Sequence, residues 1–317
     1  MASKTLIFIA FVVALGVAWT FHRARQQEHN AQQSYPPEGE VLSVDGHPVH
    51  AVVLGSGPDL VLIHGSSGNT RDFTHSLAGQ LSDRYRVIIF DRPGLGYTPR
   101  INSTGATIQQ QASLLSKAAR QLGATRPIVL GQSYGGAVAL AWAVHEPDNI
   151  AALIVLAGVS QPWTTPLSNF YRVTSHPILG PAVIPFLTAY VDDARVSREI
   201  AAIFNPQSAP AGYIDYVGAG LTLRRSSLRA NAVQRHNLLN EIKSLQPHYP
   251  EITVPTEILH GDADTTVGLE IHARPLSQTV PGSVLTVLPG IGHMPQHTAQ
   301  PQVLAAIDRA AVRAGLH

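Results

Sequence analysis

A serine set among glycines, Gly131-Gln132-Ser133-Tyr134-Gly135, is the segment of this chain best suited to covalent chemistry. It follows an apolar run at 127–130 (PIVL) and precedes GGAVALAWAVHE, a small-residue run that reads as a buried helix ended by Pro147. A nucleophile on so sharp a strand-to-helix turn takes strained backbone angles, and its neighbours must be small; Gly131, Gly135 and Gly136 meet that need. Serine hydroxyl is a weak nucleophile at neutral pH, so a base must take its proton and a carboxylate must orient the base. Two later loops offer both. In His260-Gly261-Asp262-Ala263-Asp264 an apolar run ends in glycine and two acids follow, and in Gly290-Ile291-Gly292-His293-Met294 a histidine follows two glycines.

Other chemistries find less support. The chain has no cysteine, which removes disulfides, thiolate metal sites and thiol nucleophiles together. No histidine pair has HxH or HExxH spacing, so no metal site is expected, and no cofactor is needed. A net charge of +1, from interspersed Arg and Asp without a long basic stripe, argues against nucleic acid as a partner.

The elements that must position these residues follow an α/β rhythm. Apolar runs at 48–54, 59–63, 86–90, 127–130, 152–157, 256–260 and 283–288 read as strands, several uninterrupted enough to be buried on both faces of a mostly parallel sheet. Phe73, Leu77 and Leu81 recur at helical spacing, as do Ile108, Ala112, Leu115, Ala119 and Leu122 before Gly123. Pro301 opens a last helix with Val303, Leu304, Ile307 and Ala311 inward. The rhythm breaks over 161–240, where aromatic and Pro residues scatter among short amphipathic pieces; this reads as an inserted helical cap supplying apolar pocket walls. Its Arg224, Arg225, Arg229 and Arg235 could bind an acidic substrate group, but a solvated helix face has the same pattern and is the reading preferred. The folded core is thus expected at 41–160 and 241–317.

The N-terminus differs in kind. Residues 5–21 carry no charge and no polar face, and at about 1.5 Å rise each they span roughly 25 Å, the short end for a hydrocarbon core about 30 Å thick. Trp19, Thr20 and Phe21 carry the run past the small residues Gly16-Val17-Ala18, which favours an uncleaved anchor within 1–22 over a cleaved signal peptide. The α-amino group and Lys4 on one side nearly balance Arg23 and Arg25 on the other and leave the orientation open. Residues 23–40, polar and ending near Pro36-Pro37, read as a linker between membrane and domain.

With His64-Gly65 after one strand, Asp91-Arg92-Pro93-Gly94-Leu95-Gly96 after the next, then the serine turn and the acid and histidine loops in that order, the chain from about residue 40 to 317 resembles the α/β-hydrolase superfamily, of the kind with a cap. That resemblance implies an eight-stranded sheet flanked by helices, Ser133 as nucleophile, His293 as general base and then acid, and Asp264, rather than Asp262, as the residue orienting His293. It implies the backbone amides of Ser66 and Tyr134 as the oxyanion hole, with His64 holding the first of those loops. Asp91 with Arg92 reads as fixing the turn after its strand, with a substrate contact as the alternative. No acid follows the strand at 152–157, where some relatives place one. A serine rather than an aspartate at the turn speaks against the epoxide hydrolases and haloalkane dehalogenases of the superfamily. The expected activity is a carboxylesterase or lipase-like one on small to medium apolar esters. Carbon–carbon bond hydrolases, thioesterases, aminopeptidases and haloperoxidases share the same three residues, and a binding protein that lost its chemistry would be expected to lack one of them.

Overall fold

The computed structural model describes residues 2–316. Eight strands form one sheet: β1 (Glu40–Val44), β2 (His47–Leu54), β3 (Asp59–Ile63), β4 (Arg86–Phe90), β5 (Ile128–Gln132), β6 (Ala152–Leu156), β7 (Thr256–Gly261) and β8 (Val284–Leu288). Their order is β1-β2-β4-β3-β5-β6-β7-β8; β2 runs antiparallel to both neighbours and every other pairing is parallel. Seven strands lie where their apolar runs predict them, within two residues at each end. The eighth, β1, falls at the start of the core, where the short run Val41, Leu42, Ser43, Val44 follows Glu40.

Period-2 alternation sorts the strand residues onto two faces. Val61, Ile63, Ile88, Phe90, Val129 and Val155 pack with the helices Ile108–Gln121 and Tyr134–His145. Leu60, Leu62, Val87, Ile89, Leu130 and Ile154 pack with Phe73, Leu77 and the last helix, Gln300–Arg313. The helix predicted from Phe73, Leu77 and Leu81 is two short pieces, Arg71–Thr74 and Leu77–Leu81, broken between His75 and Ser76; all three apolar residues are nonetheless buried.

Between β6 and β7 there is no strand, and the chain folds instead into helices. The longest, Arg225–Leu245, runs past the boundary at 240 expected for the cap. Arg224, Arg225 and Arg229 depart from a solvated face. Arg224 is buried and donates to the carbonyls of Leu221 and Gly96, and Arg229 donates to those of Thr174 and His176. Arg225 forms a two-pronged pair with Glu28 at 2.9 and 2.7 Å. Helix ends leave carbonyls without partners, and in a cap built of short helices Arg224 and Arg229 supply donors to them.

The N-terminal segment is one helix, Ala2–Ser34, long and apolar enough to cross a membrane. The linker expected over 23–40 is therefore mostly helical. Its polar half docks on the cap: Thr20 meets the Tyr190 hydroxyl at 3.1 Å, Arg23 Nε donates to the Ala189 carbonyl at 2.7 Å, and Ala24 and Ala31 are buried. Polar composition suggested a tether, but small residues at every second turn and a buried-side ion pair make a packing face. The apolar half, from Leu6 to Trp19, stays exposed, with Phe8 at 66%.

Trp142, on the helix Tyr134–His145, is the largest fully buried side chain among the described residues, and its indole N–H donates to the Asn149 carbonyl at 3.1 Å. Trp142→Ala is expected to lower the unfolding free energy by about 3–5 kcal/mol. Denaturant unfolding checks this, and a loss below about 1 kcal/mol would show that the site repacks.

Candidate active site

Three loops at the C-terminal edge of the sheet bring the candidate residues together. Ser133 leaves β5 with φ 55° and ψ −117°, a left-handed conformation, and opens the helix Tyr134–His145. The tight turn leaves no room beside it: a Cβ on Gly136 would sit 2.7 Å from the Gly158 Cα, and one on Gly135 would strike the Ile63 carbonyl. Ser133 is 8% exposed, its side chain turned toward the loop after β8.

There His293 places Nε2 2.9 Å from Ser133 Oγ and Nδ1 2.7 Å from Asp264 Oδ2. Asp264 sits on the loop after β7, where its other oxygen accepts the Thr266 and Val267 amides at 2.8 and 2.9 Å. Burial alone would raise the Asp264 pKa, but hydrogen bonds from His260, His293 and the Val267 amide hold it well below the usual carboxylate range. The group is thus an anion at neutral pH, so Nδ1 of His293 carries the proton and Nε2 presents a lone pair to the hydroxyl. Asp262 instead accepts the Gly290 amide at 2.7 Å and joins the two loops from outside.

Two residues take part here in roles that the sequence reading did not give them. His260, at the end of β7, donates from Nε2 to the Val267 carbonyl at 2.6 Å and lies 3.3 Å from Asp264 Oδ2, the oxygen that meets His293. A histidine four residues before the acid was the available signal. Gln132 donates from its amide to the His293 carbonyl at 3.1 Å and so ties the histidine loop to the serine turn. Nothing in a glutamine preceding a serine announces that role.

The amides of Ser66 and Tyr134 have no protein acceptor among the described residues, whereas the neighbouring Ser67 and Gly136 amides donate to Asn231 Oδ1 and the Ser133 carbonyl. The loop carrying Ser66 is anchored from below and above. His64 Nδ1–H donates to the Gly65 carbonyl at 2.9 Å while its Nε2 accepts the Arg92 amide at 3.0 Å. From the cap, Asn231 grips Ser67 at 2.9 Å and Thr222 donates to the Ser67 carbonyl at 2.6 Å. Asp91 is buried and fixes its turn by accepting from the Thr70 and Tyr97 amides and pairing with His50. A cleft of about 460 Å³ among Arg25, Glu28, His29 and Arg225 belongs to the junction of the N-terminal helix and the cap, away from Ser133.

Comparison with known proteins agrees with this architecture. A family model described as the alpha/beta hydrolase fold matches residues 58–300, more than half of the chain. The chain belongs to that family. Among relatives of this α/β hydrolase, haloalkane dehalogenase 2 of Mycobacterium tuberculosis is 25% identical over 87% of this chain and 95% of its own length. A pimeloyl-(acyl-carrier protein) methyl ester esterase of Vibrio atlanticus is 26% identical over 77% and 90%. Among solved structures, a membrane phospholipase A has the same fold, with a TM-score of 0.66 at 20% identity over 98% of this chain and 99% of its own.

Burial, with Arg92 adding to it, lowers the His64 pKa from 6.5 to about 4. Between those values an unfolded histidine holds a proton that folded His64 does not, so stability falls as pH drops from about 6.5 to 4, by up to about 3 kcal/mol from this residue. Urea unfolding at pH 7 and 4.5 should show that acid loss shrinking in His64→Asn; an equal loss in both proteins would contradict it.

Proposed function

We propose that this α/β hydrolase is a membrane-anchored serine hydrolase that cleaves carboxylic esters bearing apolar acyl groups, with Ser133 as the nucleophile. The observation that carries the reading is the unbroken contact from Ser133 Oγ through His293 to Asp264, at 2.9 and 2.7 Å. His293 Nε2 takes the hydroxyl proton as Oγ bonds to the ester carbonyl carbon. The carbonyl oxygen becomes an oxyanion received by the Ser66 and Tyr134 amides, both without another acceptor among the described residues. The tetrahedral adduct collapses, His293 passes its proton to the departing alkoxide, and an acyl group remains on Ser133. Water, deprotonated by the same imidazole, then attacks the acyl carbon and releases the acid, restoring the hydroxyl. Asp264 holds the imidazole in the required tautomer and stabilises its cation.

The named reactions of the relatives differ, so the bond cleaved is argued from the residue at the turn. A serine forms an acyl ester whose carbonyl carbon water can attack. With an alkyl halide it would form an alkyl ether, which this machinery has no means to hydrolyse. The dehalogenase name is therefore not carried over, whereas the esterase name and the phospholipase title fit an acyl-enzyme. For the membrane assignment the support is the exposed apolar half of the Ala2–Ser34 helix, which continues without a break into the half docked on the cap. A lipid ester drawn from that membrane is the natural substrate class for such an arrangement.

Ser133→Ala and His293→Ala are each expected to keep the fold and lose about four to six orders of magnitude in turnover of a p-nitrophenyl acyl ester. A fluorophosphonate should label the wild type and spare Ser133→Ala. Near-normal turnover in either variant would remove that residue from the mechanism. For the anchor, the full chain should pellet with membranes, and removal of residues 1–18 should release active protein because the docked half remains. A mature protein that begins near Trp19 would instead establish cleavage.

A further inference from the structure

Arg92 is wholly buried, yet among the described residues no carboxylate pairs with it. Its acceptors are all neutral. Nε donates to the His64 carbonyl at 2.9 Å, Nη2 to the Gly65 carbonyl at 2.8 Å, and Nη1 to the side-chain oxygens of Gln111 and Gln234 at 2.9 and 3.0 Å. Its guanidinium carbon lies 4.3 Å from the centre of the Tyr134 ring. Burying a cation without a counter-ion is costly, and fastening a turn does not require one, since Asp91 and His64 already do so. The guanidinium stays charged at neutral pH, because burial lowers its pKa only to about 10.

Its two distinctive contacts lead to the two free amides. The Gly65 carbonyl and the Ser66 N–H are opposite ends of one rigid peptide plane. Hydrogen bonds from Arg92 and His64 on that oxygen set the plane's rotation and draw electron density toward the oxygen, which strengthens the N–H as a donor. On the other side the ring of Tyr134, whose own N–H is the second donor, lies against the cation. In a buried, weakly screened site an unpaired positive charge also favours negative charge developing nearby.

We propose that Arg92 is the positioning residue of the oxyanion site, its uncompensated charge orienting and polarising the amides of Ser66 and Tyr134. The inference rests on the proposed function and adds to it the residue that tunes the two donors. A fastening role and an electrostatic role make opposite predictions when the charge is neutralised without removing the acceptor. Gln234→Glu retains an oxygen for Nη1 and adds a negative charge, while Gln234→Met removes the oxygen and adds none. Both lose the amide bond to the Pro93 carbonyl at 2.7 Å.

The experiment measures kcat, KM and the inhibition constant of a trifluoromethyl ketone, which mimics the tetrahedral adduct, in full-length protein. Gln234→Glu is expected to fall at least about tenfold below Gln234→Met in kcat, with KM within about twofold and the ketone weakened in step. Arg92→Lys, which keeps charge but loses the planar fork, should lose about 10- to 100-fold in kcat. Equal kcat and equal ketone affinity in the two Gln234 variants would overturn the proposal. Should Gln234→Glu fail to fold by circular dichroism, Tyr134→Leu decides: it removes the ring facing Arg92, and wild-type kcat and ketone affinity there would overturn the proposal equally. If Ser133→Ala remains active, the proposed function fails; if that variant is inert while the Gln234 pair are equal, only the role of Arg92 fails.

Discussion

The 2.7 Å contact between His293 Nδ1 and Asp264 Oδ2 is the constraint on which the site depends, because it fixes which imidazole nitrogen faces Ser133. Everything around it serves to keep one oxygen of Asp264 anionic and aimed. Backbone amides occupy the other oxygen, His260 lies 3.3 Å from the same oxygen that meets His293, and burial keeps water from competing. The geometry comes from the sheet. The loops after β5, β7 and β8 leave the same edge, and parallel strands carry residues at 133, 264 and 293 to one place without any local sequence relation between them.

A second constraint runs from the membrane-length helix into the cap. The same helix that exposes Phe8 and Trp19 to its surroundings contacts Tyr190, Ala189 and Arg225 further along. The cap in turn holds Ser67 through Asn231 and Thr222 and Arg92 through Gln234, so the loop bearing one of the two free amides is built jointly by core and cap. Helix, cap and the loop bearing Ser66 therefore form one chain of packed contacts rather than separate modules on linkers.

Much of this was readable from residues alone, for identifiable reasons. Uninterrupted apolar runs such as DLVLI and PIVL mark strands buried on both faces, and the glycines around Ser133 mark a backbone that must turn where side chains do not fit. His64-Gly65, the Asp91–Gly96 turn, the serine turn and the acid and histidine loops, in that order, pointed to the fold family. What escaped depends on tertiary partners that leave no local pattern. Residues 23–34 have the composition of a linker, and only the cap surface opposite them makes Ala24 and Ala31 a packing face. Arg224 and Arg225 read as solvated because nothing nearby in sequence shows the Gly96 carbonyl or Glu28 waiting for them. His260 looked like a strand end, and its approach to Asp264 follows from the loop folding back over four residues.

The central claim is that an acyl group passes through Ser133. Rapid acid quench during turnover of a slowly hydrolysed ester, followed by proteolysis and mass spectrometry, tests it directly. The account predicts a peptide carrying the acyl mass on Ser133, formed before product acid is released and absent when His293 is replaced. Full turnover with no acylated peptide, or an acyl group on a different residue, would contradict it.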